Sequence, residues 1–173
     1  MHEQLKQILD TYNKYYMEFY QKGTTPFYET ELGWWGTADA ESVYITFKEF
    51  LKKEHKFLDL GSGDGKIVAI ASLFCDQVEG IEIDEQLIQK SNQVKQQLNI
   101  NAKFAKENFF KINLKNYDVI FINPDQPILA LMDKIKQEFK GILIVYNNLH
   151  LPNLEPIKIL TPHKIPVHIY KIP

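Results

Sequence analysis

One ten-residue stretch constrains this chain more than any other: Phe57-Leu58-Asp59-Leu60-Gly61-Ser62-Gly63-Asp64-Gly65-Lys66. A short apolar run gives way to glycines at alternate positions, and apolar helical spacing resumes at Ile67. Strand, glycine turn and helix in that order open a strand–helix–strand unit. Glycine tolerates positive φ and carries no Cβ, so such a turn brings backbone close to a bulky ligand. The same alternation continues downstream. Apolar strand candidates fall at 57–60, 78–83, 103–106, 117–123 and 141–147, and helix candidates at 66–74, 85–98 and 127–139. That order predicts right-handed crossovers and an α/β domain with a parallel sheet covered on both faces.

The flanks differ. Leu5, Ile8, Leu9, Tyr12, Tyr15, Tyr16, Phe19 and Tyr20 form a stripe at helical spacing, ended by Gly23. Thr24–Gly36 is irregular and dense in aromatics, and Thr37 or Asp39 then caps a helix reaching about Lys53. Proline-punctuated segments at Pro156–Leu160 and Pro166–Ile172 predict an antiparallel hairpin at one sheet edge. The expected organisation is one domain: N-terminal helices and lid over 1–55, a ligand-binding core over 56–150, and the hairpin over 151–173.

The loop excludes two familiar ligand classes. A P-loop ending at Gly65-Lys66 needs glycine where Leu60 stands and Ser or Thr where Ile67 stands. A dinucleotide fingerprint needs its third glycine at Lys66. What the chain has instead is Asp59 two residues before the first glycine. A carboxylate there repels pyrophosphate but holds the ammonium of an amino acid. Glu82 follows Gly61 by 21 residues, the spacing at which a carboxylate reaches ribose hydroxyls in this kind of fold. Asp84 fits the cap of the next helix better. Asn108 suits an adenine edge and Phe109 a stacking position, although both Phe109 and Phe110 also fit plain core packing. The ligand suggested is an adenosine that carries an amino acid.

On these residues the chain resembles class I S-adenosylmethionine-dependent methyltransferases. Asp59 to Gly65 resembles their first motif and Gly80-Ile81-Glu82 their second. The resemblance implies a three-layer Rossmann-like fold with a mostly parallel seven-strand sheet and an antiparallel edge hairpin, preceded here by N-terminal helices. It also implies S-adenosylmethionine as cofactor, its methionine portion meeting Asp59, Gly61, Ser62, Gly63 and Gly65, and its nucleoside meeting Glu82, Ile83, Asn108 and Phe109. A narrower resemblance runs through Pro26-Phe27-Tyr28, the glycine loop and Glu107-Asn108-Phe109-Phe110. It points to compact protein-lysine methyltransferases, archaeal and mitochondrial, although the segment Glu31–Gly36 has no match there.

In this fold the acceptor sits beyond the fourth strand of the core, which here ends Phe121-Ile122-Asn123-Pro124-Asp125-Gln126. The turn half-resembles the Asn-Pro-Pro-aromatic motif of amino-methylating enzymes. Asn123 would accept from the amine and Asp125 would line the pocket; the same residues equally suit an ordinary turn and helix cap before Pro127. Tyr28, Trp34 and Trp35 form a candidate lid, an aromatic wall suited to an alkylammonium or a flat base, or else simple packing against the sheet.

Charge bears on the partner. The formal net charge is −2 and every one of the 20 basic residues is lysine, so the guanidinium preferred for phosphate and guanine contacts is missing. Between Gly23 and Phe47 stand Glu29, Glu31, Asp39 and Glu41 and no lysine. If that stretch borders the site, its mouth is acidic, attracting lysine side chains and repelling phosphate. A protein-lysine substrate is therefore favoured over nucleic acid, with a small metabolite or a non-catalytic binding subunit as further readings. In the last of these the tyrosine-rich first helix becomes an interface. His2, His55, His150, His163, His168 and Cys75 lack metal-ligand spacing, and no metal is expected. No run has membrane-span length, no signal peptide is visible, and a single cysteine suits a reducing cytoplasm.

Overall fold

The computed structural model describes residues 3–30 and 33–173. Helix α1 (Glu3–Gln21) buries Leu5, Ile8, Tyr12 and Tyr16, one side of the sequence stripe. The segment expected to be irregular forms a two-stranded antiparallel hairpin, β1 (Phe27–Thr30) and β2 (Gly33–Gly36), with Tyr28 opposite Trp35 and Glu29 opposite Trp34. Helix α2 (Ala40–Phe50) starts at Asp39, whose carboxylate accepts from Ser42 N at 2.8 Å. It ends three residues before the expected Lys53, because Leu51 is already extended.

The core follows as β3 (Lys56–Leu60), α3 (Lys66–Ala71), β4 (Gln77–Glu82), α4 (Glu85–Leu98), β5 (Ala102–Lys106), β6 (Val119–Ile122), α5 (Leu129–Glu138), β7 (Gly141–Tyr146), β8 (Lys158–Leu160) and β9 (Val167–Ile172). Helix α3 stops at Ala71 and not Phe74. Leu73 and Phe74 bond back three residues, to Ile70 and Ala71, so the last turn tightens out of α geometry.

Seven strands form one sheet in the order β5-β4-β3-β6-β7-β9-β8. The first five run parallel; β9 lies antiparallel to β7, with Ile144 opposite Ile169, and β8 antiparallel to β9. Alternation along the strands sorts side chains to two faces. Phe57, Val78, Val119, Phe121, Ile144 and Ile169 pack beneath α1 to α4, whereas Leu58, Ile120, Ile122, Leu143, Val145 and Tyr170 pack against α5. The result is the three-layer, mostly parallel seven-strand architecture expected. Tyr12 and Tyr16 belong to the first of these layers, so their side of α1 is core. Among the described residues no helix is long and apolar enough to cross a membrane.

Candidate active site

Strand order reverses between β3 and β6, and in open α/β sheets ligands bind beyond the carboxyl ends at that point. A cavity of about 380 Å³ opens there, within the usual range for a small-molecule site. Gly61 contributes from the end of β3, Glu82 and Ile83 from β4, Asn108 and Phe109 from β5, Asn123 and Asp125 from β6, and Trp34 and Trp35 from the hairpin above.

The glycine loop is shaped by three positive φ values, at Gly61 (+77°), Gly63 (+54°) and Gly65 (+84°). They do different jobs. A Cβ on Gly61 would meet nothing within 4 Å, leaving open space beside the cavity; one on Gly63 would fall 2.6 Å from Cδ1 and Nε1 of Trp35; one on Gly65 would strike Ser91 and Phe104. The face of Gly63 is thus covered by an indole, and Gly65 is needed for packing against α4 and β5. Ser62 turns toward Gly80. Its Oγ is buried and has no hydrogen-bond partner among the described residues. Ser62, Gly63, Gly65 and Asp59 lie around the cavity without lining it.

Glu82 organises the floor. Its Oε2 accepts from Gly63 N at 2.9 Å, and its Oε1 accepts from Ile83 N at 2.7 Å and Asp84 N at 2.9 Å. Asp84, as expected, caps α4 by accepting from Gln86 N and Leu87 N. Asp59 is buried; desolvation, then the nearby charges of Glu82 and Asp64, push its carboxyl well above the ordinary range. Asp64 is pushed up by burial too, against the pull of Lys66 and the Tyr16 hydrogen bond.

Sequence reasoning missed what holds this loop from behind. Tyr16 donates to Asp64 Oδ2 at 2.7 Å and Tyr12 to the Asp64 carbonyl at 3.0 Å. Lys66 is buried, its ammonium donating to Ala38 O at 2.6 Å and lying 5.1 Å from the Tyr16 ring centroid. Burial pulls the Lys66 amine below its usual value. The signal was present only as two tyrosines four residues apart on one helical stripe.

At the acceptor end, Asn123 Oδ1 accepts from Asn147 Nδ2 at 2.6 Å. Asp125 is exposed and lines the cavity, but its Oδ2 accepts from the backbone N–H of Trp34. Asn108 Oδ1 accepts from Phe110 N at 2.9 Å, closing its own turn, and the Phe109 and Phe110 rings lie 4.9 Å apart. Tyr28 is set behind Trp35, with ring centroids 5.0 Å apart, and does not reach the cavity. The acids also differ from expectation. Asp39 and Glu41 face His163 at 3.3 and 3.4 Å, and neither they nor Glu29 line the cavity. Glu31 lies outside the described residues. Glu82, Glu107 and Asp125 supply the acidic lining, and no lysine or histidine is among the described lining residues.

A doubly wound sheet with an acid-and-glycine loop at its switch point, and a carboxylate at the end of the next strand, defines a class I S-adenosylmethionine-dependent methyltransferase. Residues 59–158, more than half of the chain, match the model of the ANTKMT methyltransferase domain, and the chain belongs to that family. An RNA methyltransferase from Salinibacter ruber, solved with S-adenosyl-L-homocysteine, is similar at TM-score 0.71 and 18% identity over 80% of this chain and 94% of that one. A tRNA (uracil-54, C5)-methyltransferase from Pyrococcus abyssi, also with S-adenosyl-L-homocysteine, gives 0.61 and 17% over 78% of this chain and 38% of that one. Coclaurine N-methyltransferase, bound to N-methylheliamine, gives 0.54 and 15% over 61% and 35%. No curated protein matches the chain.

The residues present suit the cofactor. The charges of Glu82 and Asp64 add to burial in raising the proton affinity of Asp59, and the described lining of the adjoining cavity offers no cation. A ligand bearing an ammonium and a sulfonium supplies the missing positive charge.

Proposed function

We propose that the chain transfers the methyl group of S-adenosylmethionine to an amine, most specifically a lysine side chain of a protein. The observation that carries this reading is the acidic and aromatic cavity lining: Glu82, Glu107 and Asp125 with Trp34, Phe109 and Phe110, and no described cation. Such a lining attracts an alkylammonium and disfavours a phosphate backbone.

Bound S-adenosylmethionine supplies an electrophilic methyl group on sulfur. The protein's part is alignment of an in-line displacement. Asp59 and the Gly61–Gly65 loop meet the methionine portion, Glu82 the ribose hydroxyls, Ile83 and Phe109 the faces of the base, and Asn108 its edge through the amide nitrogen left over from its turn. Asn123 is held by Asn147 with its oxygen at the carboxyl end of β6, where it accepts from the incoming amine and orients the nitrogen lone pair. Trp34 and Trp35 exclude water from above.

Nucleic-acid substrates stand as the competing outcome, since methyltransferases of RNA and tRNA share the fold. Incubation with methyl-labelled cofactor and separate protein and RNA pools decides between them. Label is expected on protein lysine. Label in RNA alone overturns the substrate class, and binding without transfer to either pool overturns the amine reading.

A further inference from the structure

The hairpin above the cavity is a structure that cannot hold its own position. Two-stranded ribbons are marginal in water unless something else fixes them. One fixture is internal: Trp35 is buried against Tyr15, Phe19 and Tyr28 and rests on Gly63. That anchors the glycine-loop end. The other end, at Gly33 and Trp34, hangs over the acceptor turn, and there a charged group meets it. Asp125 Oδ2 accepts from Trp34 N.

The fit at this contact is close enough to dictate the neighbouring residue. A Cβ on Gly33 would lie well inside van der Waals contact distance of Asp125 Oδ2, and Gly33 takes a φ of +144°. Only glycine combines that backbone with that proximity. Thr30 Oγ1 donates to the Gly33 carbonyl at 2.9 Å and stabilises the same corner.

We infer that Asp125 is a positioning residue: its carboxylate latches the hairpin shut over the cavity, so that it governs cofactor release. This rests on the cofactor site proposed above. The geometry has a chemical logic. A hydrogen bond to an ionised acceptor is roughly twice as strong as a neutral one. Asp125 also belongs to the turn that carries Asn123, so the latch joins the lid to the acceptor side of the cavity. Lid closure of this kind commonly sets residence time and water exclusion.

Three variants test it: Asp125→Ala removes the latch, Asp125→Asn keeps a neutral acceptor, and Gly33→Ala evicts the carboxylate from the other side. Stopped-flow release of S-adenosylhomocysteine and hydrogen exchange at the Trp34 amide are the two readouts. Asp125→Ala is expected to release product about five- to tenfold faster, with faster exchange at Trp34. Asp125→Asn should fall between it and the parent, and Gly33→Ala should match Asp125→Ala. Unchanged release and unchanged exchange in Asp125→Ala overturn the latch, even if Gly33→Ala fails to fold. A raised KM for acceptor alone, with parental release, places Asp125 on the acceptor instead and also overturns it. Should the parent bind no S-adenosylmethionine, the cofactor site falls while the exchange comparison still decides the latch.

Discussion

Tyr16 reaches across 48 residues of sequence to donate its hydroxyl to Asp64 Oδ2 at 2.7 Å. The first helix is thereby tied to the middle of the glycine loop, between two residues of positive φ, Gly63 and Gly65. The bond has a buried carboxylate at one end, and removing its donor leaves that group short of a partner.

Tyr16→Phe should therefore cost about 1.5–3 kcal/mol of stability, the range for hydrogen bonds to charged groups. A thermal melt measures this, and titration with S-adenosylmethionine measures its reach. We expect affinity to fall as well, because the loop loses one of the two tyrosines that hold it. An unchanged dissociation constant would make the clamp a stabilising feature with no bearing on the ligand.

Asp59 sets up an opposition between stability and binding. Its carboxyl takes up a proton more readily in the folded chain than in the unfolded one, where the value is about 3.9. Its contribution to stability thus worsens as pH rises from the unfolded value through the folded one. Asp59→Asn should melt higher than the parent at pH 7, and the gap should shrink as pH is lowered and the parent's carboxyl protonates. The same variant should bind S-adenosylmethionine more weakly. A lower melting temperature at pH 7 would contradict the electrostatic account.

Glu82→Ala removes the acceptor of three backbone N–H groups, on Gly63, Ile83 and Asp84. Cofactor binding should weaken by about 1–3 kcal/mol, and the melting temperature should drop with it. Calorimetric titration is the check; unaltered affinity would remove the ribose assignment.

For Asn123→Ala the expected loss is in turnover, about tenfold for one hydrogen bond to the acceptor, with cofactor affinity within twofold of the parent. Asn147→Ala should move turnover in the same direction and less far, since it frees Asn123 without deleting it. Equal loss of turnover and of cofactor affinity would argue against an acceptor role.

The sheet was legible because its strands are apolar runs separated by helices of ordinary length, and the glycine loop because close backbone approach has a compositional signature. The hairpin of β1 and β2 was not. No glycine or asparagine pair separates Thr30 from Gly33, and without that cue Phe27–Thr30 is only a short aromatic stretch. Lys66 opens α3 and is buried; the Ala38 carbonyl that accepts from its ammonium lies 28 residues away in sequence and is brought there by tertiary structure. Asp125 lines the cavity, but its partner is a backbone N–H 91 residues away, and periodicity carries no information about such a contact.

The order of the strands at the far side of the sheet has a bearing on how the molecule is made. β9 comes after β8 in the chain but lies between β8 and β7. Until Val167–Ile172 arrives, β8 has nothing to pair with and β7 shows a bare edge of apolar residues, Ile142 to Val145. Exposed edges of that kind invite pairing with other chains. Insertion of β9 thus covers the edge of β7 and gives β8 its partner, and a chain that lacks Val167–Ile172 is expected to aggregate more readily than the full one.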